Sequence, residues 1–216
     1  MAAAHGFCVL LGPDYAGKSS ALFRLRQTAP QWRTVSVDDA YLAPEHALIG
    51  RLRREVPAVA GADATAQLDA WSPEFLATLL GTAVVHLRDE VARHTAHGPV
   101  VVDSYYYKIL AKCRLAGVRE NPMFAWWRSF PQPVRVLRLE VPPRTTWRRC
   151  GAGAALNSLE HYGEKPDWEG FRRYQSDLDK IMREETDGLP VTVVPAQDNP
   201  ADTAAALQEA LAHEFR

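Results

Sequence analysis

The feature that most limits this chain is a short loop near its start. An apolar run, Phe7–Leu11, leads into Gly12-Pro13-Asp14-Tyr15-Ala16-Gly17-Lys18-Ser19, which satisfies G-x-x-x-x-G-K-[ST] in full. A helix-like stretch, Ala21-Leu22-Phe23-Arg24-Leu25, follows. Each residue type has a physical task. Glycines let the backbone turn tightly, so that successive N–H groups converge on an anion. The helix start adds the positive end of its dipole. Lys18 would place an ammonium on β- and γ-phosphates, and the Ser19 hydroxyl is a ligand for Mg²⁺. Such a loop works between a buried strand and a helix, which commits the chain to α/β architecture and points to a nucleoside triphosphate. Gly12, Asp14, Tyr15, Ala16, Gly17, Lys18, Ser19 and Ser20 are the candidate nucleotide contacts.

The remaining pattern agrees. Short apolar runs alternate with longer helical ones, the signature of a parallel sheet with crossover helices. Five strands are expected at Phe7–Leu11, Thr34–Val37, Val100–Val102, Val134–Val141 and Val191–Val194. Ser72-Pro73-Glu74 opens a helix whose stripe is Leu76, Leu80, Val84, Leu87 and Val91. A last helix begins at Asn199-Pro200 and carries Leu207, Leu211 and Phe215 on one face. The stretch Arg148–Lys180 reads as charged, weakly periodic and mobile, and Val56–Asp69 as an Ala/Gly-rich surface connection.

Composition excludes several classes. With 25 Lys+Arg against 26 Asp+Glu, a net charge of −1 argues against a nucleic-acid partner. No apolar run is long enough for a membrane span, and Met1–Gly6 has no signal-peptide character, so a cytoplasmic chain is expected. Cys8, Cys113 and Cys150 are too scattered for a disulfide framework or a CxxC metal site. His94 and His97 lack partners at metal-ligand spacing.

A switch or motor is disfavoured. Asn121 and Asn157 are followed by Pro122 and Ser158, so no N-K-x-D guanine reader exists, and 216 residues leave no room for a motor. A small-molecule kinase then needs a carboxylate near the γ-phosphate. The candidates are Asp38 and Asp39, after the second strand, and Asp103, after the third. Carboxyl ends of parallel strands meet at one crevice, so either site can hold Mg²⁺ through water or accept a hydroxyl proton.

In order and spacing the sequence resembles the thymidylate kinase family of P-loop kinases. The loop carries that family's acid at Asp14, which implies an acceptor contact. Gly98-Pro99-Val100-Val101-Val102-Asp103-Ser104-Tyr105 resembles the segment leading to its D-R-[YFH] motif, with Ala111 as the following alanine. Leu137–Pro143 followed by Arg149 resembles its strand and lid arginine. Val193–Pro200 resembles its adenine-cupping loop, implying contacts from Ala196 and Gln197. The family also implies a homodimer. Departures are plain: Ser104 replaces the motif arginine, no arginine stands near Thr82, and Lys112 and Cys113 occupy the late tyrosine and glutamine positions. Either Lys108 and Lys112 replace the lost charge, or the acceptor is an unphosphorylated alcohol. Val35–Leu42, with Asp38-Asp39, is similar to the D-x-F-Y strand end of uridine kinase-like enzymes, where the Asp activates a hydroxyl.

A loose phosphoryl-transfer transition state calls for a cation beyond Lys18. Some thymidylate kinases place an arginine where this loop has Tyr15. Arg148 and Arg149 are therefore the candidate lid cations, with Arg144 and Arg172-Arg173 as substitutes. Tyr105, Tyr106 and Tyr107 cannot all face one way; Tyr105 and Tyr106 are candidate acceptor contacts, and at least one of the three belongs to the core. Trp126-Trp127 and Cys8 read as packing residues. The expectation is one P-loop NTPase three-layer sandwich over residues 1–216, a five-stranded parallel sheet with helices on both faces and a mobile lid near 144–175. It would bind Mg²⁺ and ATP and phosphorylate a nucleotide, a nucleoside or a similar small-molecule acceptor. Its rivals are a hydroxyl kinase of biosynthesis or antibiotic modification and a non-catalytic ATP-binding module.

Overall fold

A computed structural model describes residues 6–61 and 71–214. All five strands are parallel, in the order β2-β3-β1-β4-β5: β1 Phe7–Leu11, β2 Arg33–Val35, β3 Val100–Asp103, β4 Arg135–Glu140 and β5 Val191–Pro195. Every residue of β1, the central strand, is buried. Its side chains alternate between two cores, as a pleated strand requires. Phe7, Val9 and Leu11 join one cluster, Cys8 and Leu10 the other.

Eight helices cover the faces among the described residues: α1 Lys18–Thr28, α2 Ala47–Gly61, α3 Pro73–His94, α4 Tyr107–Leu115, α5 Pro122–Arg128, α6 Pro143–Arg149, α7 Trp168–Glu185 and α8 Pro200–Glu214. The first core packs α3, α4, α5 and α7 on the sheet; the second packs α1 and α8. The expected start of α3 holds: the Ser72 hydroxyl accepts from the Phe75 amide (3.1 Å), and Pro73 occupies the first turn. Asn121 and Asp167 cap α5 and α7 in the same way. Trp127 is fully buried in the first core, where truncation to alanine costs about 3–5 kcal/mol, while Trp126 lies outside under Arg88.

Two sequence expectations need correction. The stretch Arg148–Lys180 is not weakly periodic throughout, for α7 occupies it from Trp168 onward with Phe171, Tyr174, Gln175, Leu178 and Met182 buried. Those residues recur at helical spacing, but Arg172, Arg173, Asp177, Asp179 and Lys180 between them mask the stripe in any average of polarity. Val56, expected in a surface connection, is a buried residue of α2, and Pro57 also lies inside that helix. The remainder of that connection, 62–70, and the expected contact Phe215 lie outside the described residues. No described helix is long and apolar enough to cross a membrane.

Candidate active site

Gly12 leaves β1 against β4. A Cβ there would stand 2.8 Å from the Leu139 carbonyl, so only glycine passes. Gly17, at φ +92, begins α1 in the left-handed region that suits glycine. Tyr15, at φ +59, takes that region without glycine's freedom, a strained geometry of the kind that clusters at working sites. Lys18 folds its ammonium onto the loop, donating to the carbonyls of Gly12 (3.1 Å) and Pro13 (2.8 Å). Burial, then the neighbouring Lys108 charge, lowers its pKa to about 7. The first turn of α1 carries no acid, and Ser19 and Ser20 are exposed there, leaving the helix start open to an anion.

Opposite this loop, the ends of β2 and β3 form one hydrogen-bonded chain. The Ser19 hydroxyl donates to Asp38 Oδ2 (3.3 Å). Ser36 Oγ accepts from the Asp38 amide and donates to Asp103 Oδ2 (3.2 Å), and Ser104 donates to Asp103 Oδ1 (2.9 Å). Ser104 and Tyr105, at φ +60 and +45, turn the chain sharply off β3. Asp38 and Asp103 therefore share the crevice with Ser19. Asp39 does not; its exposed carboxylate pairs with Arg54 of α2. A hydroxyl beside carboxylates is an all-oxygen donor set that suits Mg²⁺, which completes its shell with substrate phosphates and water.

The other wall is a buried charge cluster. Asp14 receives Lys108 Nζ at 2.7 Å, Lys112 Nζ at 3.2 Å and the Gln175 amide at 3.3 Å. Burial opposes its charge, but Lys108, Lys112 and Lys18 hold the carboxyl well below the usual range. Burial likewise works against Lys108, and Asp14 outweighs it, keeping that ammonium above the ordinary lysine value. Lys112 also reaches Glu160 (3.4 Å), and Glu160 accepts from the Tyr15 hydroxyl (3.2 Å), which is bonded to the Ala155 carbonyl as well (2.5 Å). The segment between α6 and α7 is thus tied to the loop by Tyr15.

Between these walls lies a cleft of about 560 Å³ with an apolar side formed by Val37, Pro57, Leu80, Leu87, Ile109 and Leu159. Tyr105 borders it but is fully buried, and Tyr106 turns away, its hydroxyl toward Gln132 (3.4 Å). All three consecutive tyrosines are core residues, because the turn after β3 drives them under the sheet. Tyr106 is therefore not brought to the site.

Arg149 bridges the loop and the turn after β5, giving one N–H to the Ala16 carbonyl (3.0 Å) and one to the Gln197 carbonyl (3.4 Å). The Ala196 amide donates to the Glu140 carbonyl and the Gln197 amide to Thr203, so the turn after β5 is pinned beside the loop. Arg148 is exposed with no partner among the described residues. Arg144 lies over the Trp168 ring, Arg172 pairs with Glu169, and Arg173 lies over Tyr162. Sequence reading missed Ser36, Glu160 and Gln175. Ser36 is signalled by its place two residues before Asp38; nothing local marks Gln175, which meets Asp14 across 161 positions.

No family model matches the sequence, and no curated protein does. Solved structures do match. A deoxyadenosine kinase from M. mycoides, determined with dCMP and dCDP bound, superposes with a TM-score of 0.61 at 12% identity, covering 96% of this chain and 99% of its own. A thymidylate kinase from Candida albicans gives 0.62 at 14%, covering 100% of this chain and 96% of its own. With its five parallel strands and the loop at the end of β1, the chain has the fold of the thymidylate kinase-like nucleotide kinases.

Proposed function

We propose that this protein is an ATP-dependent phosphotransferase that moves the γ-phosphoryl group to a hydroxyl of a small nucleoside- or nucleotide-like acceptor. One observation carries the reading: the Lys18 loop faces Asp38 and Asp103, joined through Ser36, across a cleft with an apolar side. Backbone amides of Tyr15–Ser19 at the start of α1 bind the polyphosphate, and Lys18 follows the β- and γ-oxygens. Arg149 closes the donor side over the turn at Ala196 and Gln197. Ser19 and Asp103, with Asp38 adjacent, would hold Mg²⁺. That ion, when bound, neutralises charge on the phosphate oxygens. The acceptor oxygen bonds to the γ-phosphorus, the bond from that phosphorus to the β,γ-bridging oxygen breaks, and its electron pair leaves with ADP. Whichever of Asp38 and Asp103 the ion leaves free takes the hydroxyl proton. The segment 150–166 and α6 shield the transfer from water.

The choice of a hydroxyl rests on charge. Neither lysine of α4 is left for an acceptor phosphate: Lys112 is matched by Asp14 and Glu160, and Lys108 leans from Asp14 onto the Gly12 carbonyl of the loop. A second reading has its own support: half-buried Arg53 lines the cleft without a partner among the described residues, which suits an acceptor phosphate. Nucleosides and nucleoside monophosphates, offered with Mg·ATP and followed by ADP release, separate the two. Turnover of nucleosides is expected. Turnover confined to monophosphates and lost in Arg53→Gln favours the second reading, and tight ATP binding with no turnover, unaffected by Arg149→Ala, leaves only a binding module.

A further inference from the structure

We infer that Lys108 is a second phosphate-contacting ammonium, which leaves Asp14 to engage the γ-phosphoryl group of bound ATP. The inference rests on ATP being the donor and reassigns Lys108 from the acceptor to the donor. Lys108 Nζ lies 3.3 Å from the Gly12 carbonyl, the same oxygen that accepts Lys18 Nζ at 3.1 Å. Two ammoniums therefore share one carbonyl at the mouth of the phosphate loop. Lys108 sits in the first turn of α4, directly after the strained Ser104–Tyr105 turn that ends β3. Its backbone is thereby fixed, and only its side chain need move.

Arg53 and Arg148 have no partner among the described residues, but the cations that bond to carbonyls of the loop are Lys18, Lys108 and Arg149. Tyr15 brings no charge to the loop, and its hydroxyl is bonded to Ala155 and Glu160. Arg149 bridges two carbonyls on the donor side; Arg144, Arg172 and Arg173 are held on Trp168, Glu169 and Tyr162. Asp14 meanwhile does not need Lys108 alone, since Lys112 and Gln175 remain on it when Lys108 swings away. Asp14 is then a holding counterion for a mobile cation. Lys108 stays protonated throughout: it neutralises charge on γ-oxygens and exchanges no proton.

The test is the preference for ATP over ADP, measured by calorimetry with Mg²⁺ in the full chain, so no acceptor is required. In Lys108→Met the preference is expected to fall about tenfold, the loss of one charge-assisted hydrogen bond, while ADP affinity stays within about twofold. Lys108→Arg should regain part of it. The double variant Asp14→Asn/Lys108→Met removes the cation and its counterion together and should stay as low as Lys108→Met, with a cooperative thermal melt reporting the fold. A wild-type preference in Lys108→Met, or recovery in the double variant, overturns the inference, because Lys108 would then only balance Asp14. If the wild-type chain binds neither nucleotide, the donor reading itself fails.

Discussion

The two sides of the cleft are built by opposite means. The side proposed for the donor is one continuous stretch, Gly12–Ser20, shaped by its glycines and by the helix that follows, with Arg149 and the turn after β5 added at its edge. The opposite wall, the one proposed for the acceptor, has no such local plan. Asp14 meets Lys108 and Gln175, and Tyr15 meets Glu160, across 94 to 161 positions of sequence. Local backbone geometry makes the first; charge matching in a water-poor space makes the second, where an unmatched ion is expensive.

The sharpest way to break this contrast is Lys18→Ala. Turnover should fall at least about a hundredfold with the circular-dichroism spectrum unchanged, since one preorganised cation is worth that much in a dry site; unaltered turnover would remove Lys18 from the chemistry. Next come Asp38→Asn and Asp103→Asn at the junction of the two sides. The one that takes the proton should lose about a hundredfold in kcat, the lower end for a general base; small and equal losses in both variants would show that neither takes it. Arg149→Ala probes the donor edge alone. The KM for ATP is expected to rise about tenfold, as for one lost charge-assisted contact, with the acceptor KM unmoved; a change in the acceptor KM would show that the sides are not separable.

Two smaller effects address the acceptor side. Asp14 is held below the usual carboxyl range, so it titrates lower in the folded than in the unfolded chain. Its contribution to stability is complete above about pH 4 and drains away as pH falls below that value. The urea midpoint difference between wild type and Asp14→Asn should accordingly be larger at pH 7 than at pH 3, and an equal difference would mean that the cluster is not charge-matched. Tyr15→Phe removes only the hydroxyl that ties the 150–166 segment to the loop. A loss of about 1 kcal/mol is expected, seen as a melting shift of about 2–4 °C for a chain of this size.

How far each part could be read in advance follows from the same physics. The strands were legible because a parallel strand covered on both faces must be apolar throughout, and Phe7–Leu11 and Val100–Val102 are. Helix α3 was legible from Ser72-Pro73 because a cap is a local event. Helix α7 was not, since its buried stripe is threaded between charges that pair with their own neighbours, as Arg172 does with Glu169. Asp38 and Asp39 are equivalent as letters. Only the approach of α2, which brings Arg54 to Asp39, separates the carboxylate of the crevice from the one at the surface.

What the primary structure settled unaided is the glycine turn after β1 and the sheet that carries it, because glycine torsions, helix starts and strand hydrophobicity are decided within a few bonds of each residue. What the fold alone decided is the partnering of Asp14 with Lys108, Lys112 and Gln175, the turning of Tyr106 into the core and the setting of Arg149 on two distant carbonyls. Those are meetings between elements far apart along the chain, and a buried charge takes whichever opposite charge packing brings within reach.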